Sequence, residues 1–183
     1  MRLGRLIFRV FIGGLFMGHG AQKLLGWFGG PGLDGASGFM ESLGLRPGRR
    51  NAIAASGTEV AGGAMLVVGA LTPLAAAGLI GTMLTAVRTV HFSNGFWNSD
   101  GGYEFNLAVI AGLLALVDGG PGEPSVDAAL GLHDTGSGWA LAALAAGAAG
   151  SAAVVKIGGS TPQPGPEAAQ HAAEVTSAPA PAA

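Results

Sequence analysis

The chain contains no cysteine, a single tyrosine and few charges: Lys, Arg, Asp and Glu together make up 11% of its 183 residues. Without a thiol it cannot form disulfides, use a thiolate nucleophile, hold an iron–sulfur cluster or build a cysteine zinc site, so any redox role must use borrowed chemistry. The shortage of charge is as restrictive, because an ordinary soluble domain carries roughly 25% charged residues. A formal net charge of −2 offers no attraction for nucleic acid, which is not an expected partner. What the chain has instead is apolar mass, with 49% hydrophobic residues. That composition needs an apolar solvent, and the expected fold class is an all-α integral membrane protein. The length allows one domain, with room for four or five crossings of ~20 residues each.

The first apolar segment runs from Leu6 to Phe28 and is interrupted by Arg9, His19, Gln22 and Lys23. Arg2 and Arg5 ahead of it resemble the start of a signal peptide. Arg9 splits the apolar stretch, however, and no small-residue cleavage pattern follows, so the segment is expected to stay. The Gly-rich stretch Gly29–Asn51 holds a short amphipathic piece, Ser37–Leu45, with Phe39 and Leu43 four apart on one face and suited to the membrane interface. Ala52–Leu71 is the second span, and Thr72-Pro73 makes a turn whose proline opens the third, Pro73–Phe92. The polar loop Ser93–Gly102 leads into a short fourth span, Tyr103–Val117. The Ala-rich Trp139–Val155 is a further candidate whose small residues suit close helix packing. From Gly158 onward the Pro/Ala composition has no apolar periodicity and is expected to be disordered. The expected organisation is an up-and-down four-helix transmembrane bundle over residues 1–118, an acidic loop over 119–138, an additional Ala-rich transmembrane helix over 139–157 and a disordered tail over 158–183.

Ionisable residues inside a membrane are costly, so each is a functional candidate with a partner to be named. If the helices run up and down, the end of the first span, the start of the second, the end of the third and the start of the fourth share one membrane side. By helix rise, Lys23 then lies ~7 Å and His19 ~13 Å in from Phe28, Glu59 ~10 Å in from Ala52, and Arg88 ~6 Å in from Phe92. His91 and Glu104 sit at the same rim. These residues collapse onto one layer beneath the loops Gly26–Gly35 and Asn94–Gly102. Charge balance pairs Lys23 with Glu59 and Arg88 with Glu104, partner exchange being equally allowed. The opposite half is expected to hold almost no such groups, with Arg9 snorkelling to the far interface.

Four readings of the layer compete. Ion pairs can simply fix helix register. A metal site from His19, Glu59, His91 and Glu104 is conceivable chemically, but no HExxH or ExxH spacing occurs and no metal is expected. The gate of a small-solute transporter would need a polar path through the other half. A pocket for a small amphipathic molecule fits best, with Trp27, Phe28, Phe96, Trp97 and Tyr103 as aromatic walls, and histidines and carboxylates supplying hydrogen bonds and protons. Gly29-Gly30 and Gly101-Gly102 are turns, since no phosphate-cradle pattern follows a strand.

The same layer carries a recognisable series: His19-Gly20-Ala21-Gln22-Lys23 through Gly26-Trp27-Phe28-Gly29-Gly30, Phe39-Met40, Leu43-Gly44-Leu45-Arg46-Pro47, Glu59, Leu71-Thr72-Pro73, then His91-Phe92-Ser93-Asn94-Gly95-Phe96-Trp97 to Gly101-Gly102-Tyr103-Glu104-Phe105-Asn106. Over roughly Leu3–Val117 this resembles the DoxX family of bacterial membrane proteins. The resemblance implies a four-helix, multi-pass protein of the bacterial inner membrane. The family takes its name from a subunit of thiosulfate:quinone oxidoreductase, and some members are associated with complexes that handle thiol and superoxide stress. It supplies no catalytic residues to carry over, and the missing cysteine excludes a thiol relay through this chain.

The leading expectation is a membrane subunit of an oxidoreductase system, binding a quinone or similar lipid-soluble carrier. His19, Glu59, His91 and Glu104 are the candidate catalytic residues, histidine hydrogen-bonding a carbonyl and carboxylate passing protons. Lys23, Trp27, Arg88, Trp97, Tyr103 and Asn106 are the candidate ligand contacts. Partners would be the lipid bilayer and an electron-supplying protein. The alternative is a non-catalytic scaffold. Orientation is a tie: Arg2, Arg5 and Arg9 stand on one side and Arg46, Arg49 and Arg50 on the other.

Overall fold

The structure is a computed structural model that describes residues 3–159. Its helices are α1 (Leu3–Leu25), α2 (Gly32–Ser42), α3 (Gly48–Val68), α4 (Thr72–Ala86), α5 (Glu104–Gly119), the single turn α6 (Val126–Ala129) and α7 (Ser137–Gly159). Among the described residues there is no strand. Three helical stretches are long and apolar enough to cross a membrane: Gly48–Val68, Thr72–Asn94 and Ser137–Gly159. The expected set of four is thus not the set that length and hydropathy select. Arg5, Arg9 and Lys23 dilute α1, and the 16 residues of α5 reach only about 24 Å. The Ala-rich α7, in contrast, qualifies and runs two residues further at each end than the expected 139–157.

The boundaries follow local chemistry. Pro47 is extended and stands as the N-cap of α3, which stops at Gly69, where φ is 65°; glycine takes that left-handed conformation without a Cβ penalty. Pro73 lies in the first turn of α4, where its missing N–H is an orphan anyway. The short interfacial piece is α2, displaced toward the N-terminus from the expected 37–45. The tail expected to be disordered lies outside the described residues from 160 onward, while Gly158 and Gly159 close α7.

On α1 the buried positions Arg9, Gly13, Phe16 and Gly20 follow the spacing of one helix face. That face lies antiparallel on α3, with the backbones nearly touching: a Cβ on Gly13 would stand 2.6 Å from the Gly63 carbonyl, and one on Gly63 2.5 Å from the Gly13 carbonyl. Small residues permit such an approach, and dispersion between the backbones is the gain where hydrophobic exclusion is absent. α4 packs antiparallel on α3 and α5, and parallel on α7 across Gly81, Gly147 and the Thr85–Ser151 hydrogen bond of 3.1 Å. Phe16, Leu66, Leu79, Ile80, Val109, Leu113 and Val117 fill the centre. Outward, Phe11, Leu74, Leu141 and Ile157 are each more than 60% exposed. Apolar surface of this extent is stable facing lipid and aggregation-prone facing water.

Candidate functional site

A cavity of about 900 Å³ opens among α1, α2, α3, α4, α5 and α7. Its apolar wall includes Ile12, Phe16, Phe39, Phe105 and Val109, and its polar lining includes His19, Gln22, Lys23, Glu59, His91 and Asn106. Residues separated by most of the chain therefore meet, as the up-and-down reading of the spans expects. The ion pair at the centre of this lining is closed. Lys23 Nζ donates to both carboxylate oxygens of Glu59, at 2.6 and 2.8 Å, and the Glu59 side chain is only 6% exposed. Burial of one carboxylate is tolerable here because the ammonium sits on it with both oxygens engaged.

The histidines are held differently. His91 ends a π-helical turn, Val87–His91, that continues α4, and its Nδ1 stands 2.7 Å from the Gly101 carbonyl. Asn94 Nδ2 donates to the same carbonyl at 3.3 Å, so the loop after α4 is tied back onto the helix end. His19 pairs its Nδ1 with Gln22 Oε1 at 3.2 Å, one turn along α1. Asn106 is 4% exposed and donates from Nδ2 to Met83 Sδ at 3.5 Å.

The remaining candidates stand apart. Arg88 is exposed and has no ion-pair partner among the described residues, so the expected Arg88–Glu104 pair does not form. Glu104 instead accepts from the Asn98 N–H at 3.0 Å, which closes the loop ahead of α5. Trp27, Trp97 and Tyr103 are not on the cavity wall. Tyr103 stacks on Phe92 with centroids 6.0 Å apart and meets Phe96 edge-on at 5.7 Å, while Trp97 meets Phe96 at 5.0 Å. These rings form a cluster of their own in the 92–103 loop, and the aromatic walls are Phe16, Phe39 and Phe105 instead. Among the described residues no group of three or more His, Asp or Glu is arranged to hold a metal.

The opposite end corrects a further expectation. Arg9 does not snorkel: it is 1% exposed and donates from Nη2 to the Pro124 carbonyl at 2.5 Å. Nε and Nη1 have no hydrogen-bond partner among the described residues, and Asp127 is the nearby countercharge. The Asp127 carboxylate, itself 4% exposed, accepts from the Leu71 N–H at 2.7 Å, the Thr72 N–H at 3.0 Å and the Thr72 hydroxyl at 2.6 Å. It therefore caps α4 from a segment more than fifty positions away and holds Leu71 at φ 45°, a conformation unfavourable for a side-chain-bearing residue. No local pattern in the sequence points to this contact.

Sequence reasoning also missed the share of the wall supplied by Thr58, Thr82, Thr89 and, from α7, Gly147 and Ser151. Hydroxyls at helix positions read as ordinary backbone-bonded residues unless the facing helix is known.

The DoxX family model matches residues 4–92, from α1 through the π-helical turn. Neither a curated protein nor a solved structure matches the chain. The match stops short of the 3–117 over which the resemblance was expected, leaving α5 and α7 outside it.

Proposed function

We propose that this chain, which belongs to the DoxX family, is a multi-pass membrane subunit of a redox system that holds a quinone or similar lipid-soluble carrier in the cavity. The supporting observation is the make-up of the wall: apolar over most of its surface, with His19, Lys23, Glu59, His91 and Asn106 contributing polar atoms to one chamber. Such a chamber suits a molecule with an apolar body and a few hydrogen-bonding atoms. Its volume, about 900 Å³, lies within the range of small-molecule sites, roughly 300–1,000 Å³. On this reading α1 and α5 cross the membrane beside the three more apolar stretches, residues 1–118 form the working bundle with α7 as an added wall, and His19, Glu59, His91 and Glu104 remain the candidates for proton movement. Electrons come from a partner protein, because the chain lacks the sulfur chemistry to supply them.

The test is purification in mild detergent followed by solvent extraction and chromatography. The expected result is quinone in near-stoichiometric amount, or saturable binding of added quinone that competes with a short-chain analogue. Neither retained nor added quinone binding would leave a scaffold role as the better reading, with the Lys23–Glu59 pair acting only to hold α1 on α3.

A further inference from the structure

The polar atoms that the α4 and α5 walls leave free are mostly acceptors. His91 Nδ1 faces a backbone carbonyl at 2.7 Å. A carbonyl only accepts, so Nδ1 carries a proton, and in the neutral ring Nε2 keeps its lone pair. Nε2 has no partner among the described residues, and the side chain lines the cavity. The π-helical turn that ends at His91 is a local break of the kind that recurs at functional positions.

Asn106 repeats the arrangement. Its Nδ2 gives one of its two protons to the Met83 thioether, a group that can only accept. Oδ1 is left over, and it is not sealed off: among the described residues the buried side-chain atoms without a partner are those of Arg9. Oδ1 therefore opens on the cavity that Asn106 lines. The hydroxyls around it are spent in the same sense. Thr58 donates to the Ala54 carbonyl, Thr82 to the Leu79 carbonyl and Thr89 to the Thr85 carbonyl, so each offers a ligand lone pairs and no proton. Beside the second Asn106 N–H, the donors are on the α1 wall, where Lys23 Nζ gives two protons to Glu59 and has one left.

A ligand whose oxygens are all carbonyls or ethers would set lone pair against lone pair at His91 Nε2, Asn106 Oδ1 and the threonine hydroxyls. One bearing a hydroxyl would satisfy the wall. We infer that the cavity selects the hydroxyl-bearing form of an amphipathic ring compound, a phenol or dihydroxybenzene, with His91 Nε2 and Asn106 Oδ1 accepting its O–H protons. This rests on the binding proposed above and adds to it the form that is preferred.

The experiment uses the full chain in mild detergent with three probes sharing one alkyl tail: a benzoquinol kept reduced, the matching benzoquinone, and the dimethyl ether of the quinol. The quinol is expected to bind at least about tenfold more tightly than its ether, a difference of about 1.4 kcal/mol. Asn106→Leu and His91→Phe, each checked for unchanged thermal unfolding, are expected to bring that ratio toward one. Equal affinities for quinol and ether, or tighter binding of the quinone, overturn the selectivity while leaving a carrier site in place. Failure of all three probes to bind overturns the selectivity and the carrier site together.

Discussion

Removing one half of the Lys23–Glu59 pair tests whether the polar layer is held by charge neutralisation. In Lys23→Met the Glu59 carboxylate stays where it is, its side chain 6% exposed, and loses the donor that reaches both of its oxygens at 2.6 and 2.8 Å. Leaving a buried charge uncompensated costs about 3–5 kcal/mol. Glu59→Gln is milder, because the Lys23 side chain is 30% exposed and its stem lets the ammonium reach water; about 1 kcal/mol is expected, the net value of a hydrogen bond. Replacing both, Lys23→Met with Glu59→Leu, substitutes apolar contact for the pair and should return stability to within about 1 kcal/mol of the parent. The assay is reversible unfolding of the purified protein in mixed micelles, followed by helical circular dichroism, with the Glu59→Leu single change included so that the Lys23→Met and Glu59→Leu double-mutant cycle closes. A Lys23→Met variant within about 0.5 kcal/mol of the parent, with the double change merely additive, would refute charge neutralisation as the force joining α1 to α3.

At the other end, Asp127→Ala removes three accepted hydrogen bonds at the start of α4 and the countercharge of Arg9; a loss of about 3 kcal/mol is expected, above the ~1 kcal/mol of an ordinary helix cap, and the same unfolding assay reads it. Gly63→Val should prevent accumulation in membranes, because a Cβ there meets the Gly13 carbonyl at 2.5 Å, whereas Gly14→Ala, with nothing within 4 Å, should be neutral or slightly favourable; immunoblots of membrane fractions separate the two. Membrane sidedness is open to labelling because the chain has no cysteine. Arg49, Arg50, Arg88 and Lys156 are exposed at the end of the bundle that carries the polar cavity lining, while among the described residues of the other end Arg5 is half-buried and Arg9 buried, so the count of positive charge, a tie in the sequence, favours the cavity end as cytoplasmic. Ser42→Cys should then resist, and Ser137→Cys accept, a membrane-impermeant maleimide applied to intact cells; the opposite pattern would reverse the orientation.

How far the sequence reaches depends on whether a residue's partner can be placed by counting along helices. Lys23 and Glu59 can be, because one rises and the other descends a known number of turns from neighbouring span ends, and no loop conformation is needed to bring them level. Arg88 and Glu104 start from the same arithmetic and miss. The π-helical turn at Val87–His91 shifts the register of everything after it, and the Asn98 N–H takes the carboxylate. Trp27, Trp97 and Tyr103 are placed by level alone. Level says nothing about which way a loop folds, and hydrogen bonds from Tyr103 N–H to the Gly95 carbonyl and from Glu104 N–H to the Phe96 carbonyl turn that segment onto itself. Asp127 is beyond reach, since its role is fixed by a loop that crosses from α5 to α7 and docks on the start of α4. The two ends of the bundle differ for a physical reason that follows from this. At the Arg9 end, Asp127 and Pro124 accept from groups that have no freedom to move, and the loop seals them. At the Lys23 end a closed ion pair neutralises the buried carboxylate of Glu59, and the histidine and amide acceptors of the cavity lining have no donor among the described residues. These acceptors are open where the Arg9 end is sealed, and they belong to side chains that line the cavity of about 900 Å³. Stability accounts for the first end; a ligand is the simplest account of the second.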